Sequence, residues 1–498
     1  MKLLKLFLFL FLISNLHAQF EGFTPELPVQ STVLYKKSNV YQQDFLYLCE
    51  GLVKYHANVF LNFPKSEFNK EKNLYYKQLD TCNNEYDFGI IANRFTNRIR
   101  DRHTGVKFDV DNVENQLYPF RCKYLVDTLV IMAVSSQLPF SLCGERIKSI
   151  NGYSINDIEN KASQAYATEN YVDLQKNIML HINSTEYLKY IGITHSDTDH
   201  IKVSTFSGKE FEASPNFNGE WKSEIHHAPL ITDEGSEPFS YKIVKKDSLC
   251  YIQFNRMIDK RAGERMLGLV SFWKRLFVNI LRFFGANVGI PDQNFEDFLN
   301  PCLKDIKEDN VKKVIVDLRW NSGGSSDLGE LLLYALGIDK YKSYTSDINE
   351  SELYKLQMHT LGLDKKISAE TDTSDSYRHT KYATGVDKIK NRFHGNVYFI
   401  ISEWTFSSAV ILATVVKDNH FFTIVGEPIS ERPSHFGEVL FLKLPNTGDV
   451  CRLSCKLFHR PDKTKDTEET LYPDITIYKT YENIIRGIDG AYNWIVQH

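Results

Sequence analysis

Apolar positions change their spacing several times along this 498-residue chain, and each change predicts a different kind of element. From Tyr41 to about Arg102 they recur near i, i+3 and i+4, in "DFLYLCEGLVKYHANVFLNF" and again in "DFGIIANRFTNRI", which predicts a small N-terminal helical cap. At "DRHTGVKFDV" the spacing shifts towards alternation, so a helix should end near Arg100 and a strand begin near Gly105. His103 falls at that junction. Between about Leu117 and Ala213 the runs "TLVIMAV", "CGERIKSINGYSINDIENKAS" and "HIKVSTFSGKEFEA" predict strand, Gly turn, strand, Asn-Gly turn, helix and a closing hairpin with Ser-Gly at its tip.

A polar stretch, "SPNFNGEWKSEIHHAPLITDEGSEP", marks a boundary before Phe239. Beyond it "LCYIQFNRM", "VKKVIVDLRW" and "GNVYFIIS" read as buried strands, with helical patterns from Leu328 to Leu336 and from Ser407 to Lys417. Strands alternating with helices predict an α/β layer with a largely parallel sheet. One insertion stands apart: "RMLGLVSFWKRLFVNILRFFGANVGI", Arg265 to Ile290, is apolar on one helical face and carries Lys274, Arg275 and Arg282 elsewhere. Such a face suits a lid or packing helix, a dimer contact, or contact with a membrane surface, and it leaves the oligomeric state open.

Charge and cysteine usage narrow the classes. With 59 basic against 63 acidic residues and a net charge of −4, the chain has no electrostatic footprint for a polyanion, so nucleic acid is not expected as a partner. The start, "MKLLKLFLFLFLISNLHAQF", sets Lys2 and Lys5 before the apolar run Leu6 to Ile13, and a cleavage position follows at Ala18. This is the pattern of a signal peptide over residues 1–18, with an apolar run too short for a permanent span, and it predicts export. The eight cysteines show no C-x-x-C spacing, so neither a metal nor another cofactor is expected. Cys451 and Cys455 lie four apart on a strand-like segment, too distant to bridge each other.

Two stretches carry candidate chemistry. In "VIVDLRWNSGGSSDLGELLLYAL" a buried strand meets Gly323 and Gly324, whose backbone N–H groups can converge on one spot without Cβ obstruction. In "FIISEWTFSSAVILATVV" Ser407 and Ser408 stand where a strand becomes a helix. A serine there either uses the positive end of the helix dipole as a nucleophile or simply caps the helix. Local physics leaves both readings standing.

The blocks "DLRWNSGG", "TFSSAVILATVVKDNHFFTIVGEP", "FLKLPNTG" and "LYPDITI" occur in the order and approximate spacing of the tail-specific, or C-terminal processing, serine protease family, which this half of the chain resembles. The resemblance implies Ser407 as nucleophile, Gly323 and Gly324 as the oxyanion-hole turn, and an α/β core of the ClpP/crotonase-like type. "GERIKSING", Gly144 to Gly152, resembles a PDZ-domain pattern often joined to that core. The implied organisation is a signal peptide at 1–18, an N-terminal helical region at 19–115, a PDZ-like β-rich domain at 116–215, and a protease core at 239–498 with its insertion near 262–295.

The base departs from the commoner members of the family. Where they carry a lysine, "GEPISERPSHFGE" places Arg432, which stays protonated and cannot accept a proton. "RDRHTGV" instead resembles the histidine block of the tricorn protease core and implies His103 as general base, with a distant glutamate to orient it. Glu468 and Glu469 in "DTEETLYPDITI" are the candidates, with Glu468 preferred, and His435 is a rival base. The implied activity is that of an exported serine endopeptidase, periplasmic or extracellular, acting on protein or peptide substrates. A protein that kept the fold, lost the chemistry and binds peptides through the PDZ-like unit is the alternative.

Overall fold

A computed structural model of the chain describes residues 22–107, 117–166, 168–196, 198–215, 220–223, 237–270, 272–283, 289–363 and 377–498; the expected signal peptide lies outside them. After a 3-10 turn (Pro28–Ser31) and a short helix (Val33–Lys37) come three longer helices, α1 (Val40–Tyr55), α2 (Lys65–Gln78) and α3 (Glu85–Asn97). Asn39 and Asn84 cap α1 and α3 by accepting the N–H of Gln42 and Asp87. Strand β1 (Gly105–Lys107) follows, at the place where alternation begins in the sequence.

The β-rich unit contains β2 (Phe120–Leu125), β3 (Thr128–Ser135), β4 (Ile147–Ile150), β5 (Tyr153–Ser154), α4 (Ile155–Ala165), α5 (Tyr171–His181), α6 (Thr185–Tyr190), β6 (Ile201–Thr205), β7 (Glu210–Ala213) and β8 (Trp221–Ser223). Its strands form two antiparallel sheets, ordered β2-β3-β8 and β5-β4-β6-β7. The predicted strands, the Asn151-Gly152 turn, α4 and the closing hairpin are all present. Helices α5 and α6 are additional, and α5 turns towards the protease half.

That half is built on a six-stranded sheet of order β19-β16-β15-β11-β10-β9. Its members are β9 (Phe239–Val244), β10 (Leu249–Phe254), β11 (Lys313–Asp317), β15 (Asn396–Ile401), β16 (Thr423–Gly426) and β19 (Ile475–Thr476), all parallel neighbours except the β9–β10 hairpin. Alternation assigns its two faces: Val314, Val316, Phe399 and Ile401 pack with α8 (Phe295–Glu308), α9 (Ser326–Ala335) and α10 (Ser408–Asp418), whereas Ile315 and Ile400 pack with α11 (Gly490–Gln497). The expected α/β layer is therefore the fold of the core. Within the insertion, α7 (Phe272–Phe283) exposes Phe272 and Leu276 and buries Val278. No helix among the described residues is long and apolar enough to cross a membrane.

A second antiparallel sheet joins distant parts of the chain. In it β18 (Val450–His459) pairs with β1, β13 (Thr345–Ile348) and β17 (His435–Lys443); a separate pair, β12 (Lys340–Lys342) with β14 (Tyr377–His379), lies apart from it. Leu440, Leu442, Cys451 and Leu453 of β17 and β18 share one core with Phe45, Leu48, Leu52 and Phe95 of the N-terminal helices. The N-terminal region is thus no independent cap. Three helices alone leave an apolar face uncovered, and the β17–β18 hairpin covers it.

Candidate active site

Strands β11 and β15 are parallel neighbours in register Asp317↔Ile400, so the loops leaving their C-terminal ends adjoin. Side chains staple the loops together: Thr405 Oγ1 donates to Leu318 O at 2.8 Å and Ser402 Oγ to Arg319 O at 2.8 Å. Arg319 is itself buried, with Nη2 at 2.7 Å from Asp317 and 2.6 Å from Asp489. The Phe406 N–H donates to Asn321 O at 2.9 Å, which draws the glycine turn against Ser407. Gly323 has φ +89°, and a Cβ there would lie 2.7 Å from Ser407 Cβ, so the turn tolerates only glycine at this position.

Ser407 stands at the N-cap position of α10 but does not behave as a cap. Its side chain makes no capping hydrogen bond, and its backbone (φ 56°, ψ −124°) is far from the extended conformation of an ordinary cap. Its Oγ lies 3.1 Å from His103 Nε2. Ser408 does something different: its Oγ donates to Gly324 O at 2.7 Å and so braces the turn. The Gly323 N–H is already donated to Asn321 Oδ1 at 2.9 Å, whereas the N–H groups of Gly324 and Ser408 donate to no other described residue.

His103 is brought in by β1, which pairs with β18 through Gly105↔Arg452, while Thr104 Oγ1 accepts the Ser454 N–H at 3.1 Å. Asp101 organises the preceding turn: it accepts the His103 N–H at 2.8 Å and the Thr104 hydroxyl at 2.5 Å, and lies 3.1 Å from His56 Nε2. His56 Nδ1 accepts the Asn58 N–H, so its proton sits on Nε2 and is directed at Asp101. Burial alone would raise the Asp101 pKa, but the hydrogen bond from His56 and the nearness of the His56 and His103 imidazoles hold it well below the usual range. The His103 ring stacks on Phe406 and on His435, at centroid distances of 4.8 and 6.1 Å. Burial lowers its pKa to about 4 against the opposing charge of Asp101, so the imidazole is neutral, and able to take a proton, across the neutral range.

The other ring nitrogen identifies a further partner. His103 Nδ1 is buried without a hydrogen bond among the described residues, 3.6 Å from Glu431 Oε1 and 3.8 Å from Asp101 Oδ1. Glu431 Oε1 is likewise buried and unpaired, while its Oε2 accepts the backbone N–H of Ser407. A shift of under about 1 Å would make the Nδ1–Oε1 contact a hydrogen bond. Burial pushes the Glu431 pKa up to about 8 despite the Ser407 N–H. Glu169, preceding α5, is also raised to about 8, by burial and then by the charges of Glu431 and Asp173. Its two oxygens accept the N–H groups of Arg102 at 3.2 Å and Arg432 at 3.1 Å, tying the His103 loop to the Glu431 loop. Asp101, His103 and Glu169 offer donor atoms within 4.8 Å of one another, but both carboxylates already accept hydrogen bonds on each oxygen, which makes the group a hydrogen-bonded cradle.

Three expected candidates, Glu468, Glu469 and His435, take other partners. Glu468 is held by Arg460, 2.7 Å away, and Arg460 is also bound to Asp418; the Glu468 carboxylate is thus paired with a guanidinium, and the carboxylate beside His103 Nδ1 is Glu431. Arg460 is a buried cation bound to both carboxylates, and this bonding overrides the position implied by the resemblance. The Glu469 carboxylate lies 3.6 Å from Arg432, on the same exposed segment. His435 Nδ1 lies 3.1 Å from the carbonyl oxygens of both Arg432 and Pro433, so it donates there and its ring supports His103 by stacking rather than reaching Ser407. Asp101, Glu169 and Glu431 were not among the expected site residues. Asp101 lies inside "RDRHTGV" and Glu431 directly precedes Arg432; nothing local marks Glu169.

Residues 277–477 match the model of Peptidase family S41. They form a peptidase S41 domain. The protein is accordingly a serine-type peptidase, and the matched segment holds both loops, Ser407 and Glu431, whereas His103 and Glu169 come from outside it. Among solved structures, mature CPAF complexed with lactacystin is 14% identical and aligns with a TM-score of 0.58 over 94% of this chain and 98% of that one. Mature CPAF alone is 13% identical, with a TM-score of 0.57 over 94% and 96%. At such identity these likenesses establish the fold of the S41 domain and of the segments around it. No curated relative matches the chain.

Proposed function

We propose that the protein is a serine endopeptidase that uses Ser407 as nucleophile, His103 as general base and Glu431 as the carboxylate that orients His103. The observation that carries this is the 3.1 Å approach of Ser407 Oγ to His103 Nε2, with the unpaired Nδ1 of the same ring 3.6 Å from Glu431 Oε1. Neutral His103, protonated on Nδ1, takes the hydroxyl proton as Oγ attacks the peptide carbonyl, and then delivers that proton to the leaving amine. The resulting acyl-enzyme is hydrolysed by water, with His103 again the base. The N–H groups of Gly324 and Ser408 supply the oxyanion hole, with Gly323 shaping the turn, and the strained backbone of Ser407 presents Oγ beside them.

The leader at residues 1–18 supports export, and the substrates are proteins or peptides outside the cytoplasm. A fluorophosphonate probe should label the mature protein at Ser407, located by peptide mapping, and Ser407→Ala should lose roughly 10⁶-fold in kcat. Ser408→Ala, the neighbouring control, should still be labelled. Absence of adduct on Ser407 while a control protease reacts would sink the proposal.

A further inference from the structure

A cleft of about 550 Å³ opens between the N-terminal helices and α4 of the β-rich unit, within the size range of ligand sites. Arg94, Arg98, Arg100 and Lys161 line it, and no carboxylate among the described residues does. On a chain of net charge −4, four cations around one concavity are a marked local excess. Arg98 is partly neutralised, lying 3.3 Å from Glu67 and 3.1 Å from Glu71 on α2. The others are not paired in this way: Arg94 stacks its guanidinium 3.9 Å over the Tyr190 ring, Lys161 Nζ donates to the Gly192 carbonyl at 3.4 Å and lies 4.8 Å over the Tyr153 ring, and exposed Arg100 has no side-chain partner among the described residues. Tyr75 and Tyr166 complete the wall with Tyr190, and burial keeps all three phenols protonated; the Tyr190 hydroxyl donates to the Ala165 carbonyl at 3.1 Å.

The cleft adjoins the catalytic junction along the chain. Arg100 and His103 are separated by three residue steps, at most about 11 Å of extended backbone. Planar guanidinium groups and tyrosine hydroxyls are the donors that bind carboxylates well while keeping an apolar surface for the rest of a peptide. We infer that this cleft is a docking site for an acidic segment of the polypeptide substrate, holding Asp or Glu side chains while the neighbouring stretch reaches Ser407. The inference rests on the peptidase reading for its occupant, yet its test needs no turnover.

Binding is read by fluorescence anisotropy on the full chain carrying Ser407→Ala, with a labelled peptide containing four consecutive glutamates and its glutamine counterpart. The glutamate peptide should bind, weaken at high salt, and lose about tenfold in affinity when Arg100→Gln is added, with a similar loss for Gln164→Glu, which sets a carboxylate on the exposed rim. Both positions are exposed, so neither change threatens folding. Equal binding of the two peptides, unchanged affinity in both variants, or complete displacement by millimolar inorganic phosphate in place of a longer acidic peptide would each overturn the assignment. Failure of Ser407 to react with the fluorophosphonate would remove the proposed chemistry and leave this binding result untouched.

Discussion

Glu431 sits between the proposed nucleophile and the proposed base: one carboxylate oxygen accepts the Ser407 N–H and the other faces His103 Nδ1. The pH dependence of the reaction follows from the two groups' opposite shifts. His103, with its pKa near 4, is already neutral at pH 5, while Glu431, raised to about 8, gains the charge needed to stabilise the imidazolium only as the pH passes that value. On a quenched-fluorescent peptide, kcat/KM should therefore climb between pH 7 and 9. In Glu431→Gln kcat should fall about 10²- to 10⁴-fold and that climb should flatten. Glu468→Gln should stay within about twofold of wild type, since Arg460 keeps Asp418; a large loss in that variant with little change in Glu431→Gln would return the orienting role to Glu468. The sequence made Ser407 and His103 readable because each lies in an ordered block. Glu431 was hidden one residue from Arg432, at a place where only a proton acceptor was expected, and Glu468 was captured by an arginine whose second partner lies far away in sequence.

At the level of elements, the catalytic loops owe their shape to a glycine turn that has no room for a side chain. Gly323→Ala would set a methyl group 2.7 Å from Ser407 Cβ at φ +89°, so kcat should drop by at least about 10²-fold, the scale of a damaged oxyanion hole. Gly152→Ala is the matched comparison: φ is +82° there, but nothing lies within 4 Å of the added carbon. It should cost about 1 kcal/mol in urea denaturation and leave kcat unchanged; equal kinetic losses in the two variants would show that strain in general, and not crowding of Ser407, limits the enzyme. Strands β10, β11 and β15 were legible as apolar runs because both of their faces are covered. Helix α5 was not, because Asp173, Gln175 and Lys176 are buried on it and break the amphipathic pattern. They are buried because they bond other segments: Asp173 pairs with Arg102, and Lys176 Nζ donates to the Glu403 carbonyl at 2.9 Å.

Across the whole molecule the site draws on three parts of the chain: the N-terminal region gives His103, the S41 domain Ser407 and Glu431, and the β-rich unit Glu169. Bringing them together buries two glutamates whose pKa values rise to about 8, against about 4.3 for an unfolded chain. Between those values the folded protein holds protons that the unfolded chain has released, so stability falls as the pH rises. The contribution is complete below about 4.3 and gone once the folded groups ionise above about 8; Asp101, held well below its usual range, is ionised in both states over this span. From pH 7 to pH 9, above the range where His103, neutral when folded, works in the opposite direction, the urea midpoint should therefore decline. Glu169→Gln should be less stable than wild type near pH 5, because its amide oxygen can accept only one of the Arg102 and Arg432 N–H groups, but its midpoint should fall less steeply towards pH 9 because the amide never ionises. Parallel pH curves for the two proteins would show that Glu169 is not buried in its neutral form. The same ionisation that favours catalysis through Glu431 then works against the assembly that positions it, so activity and stability should move in opposite directions across pH 7 to 9.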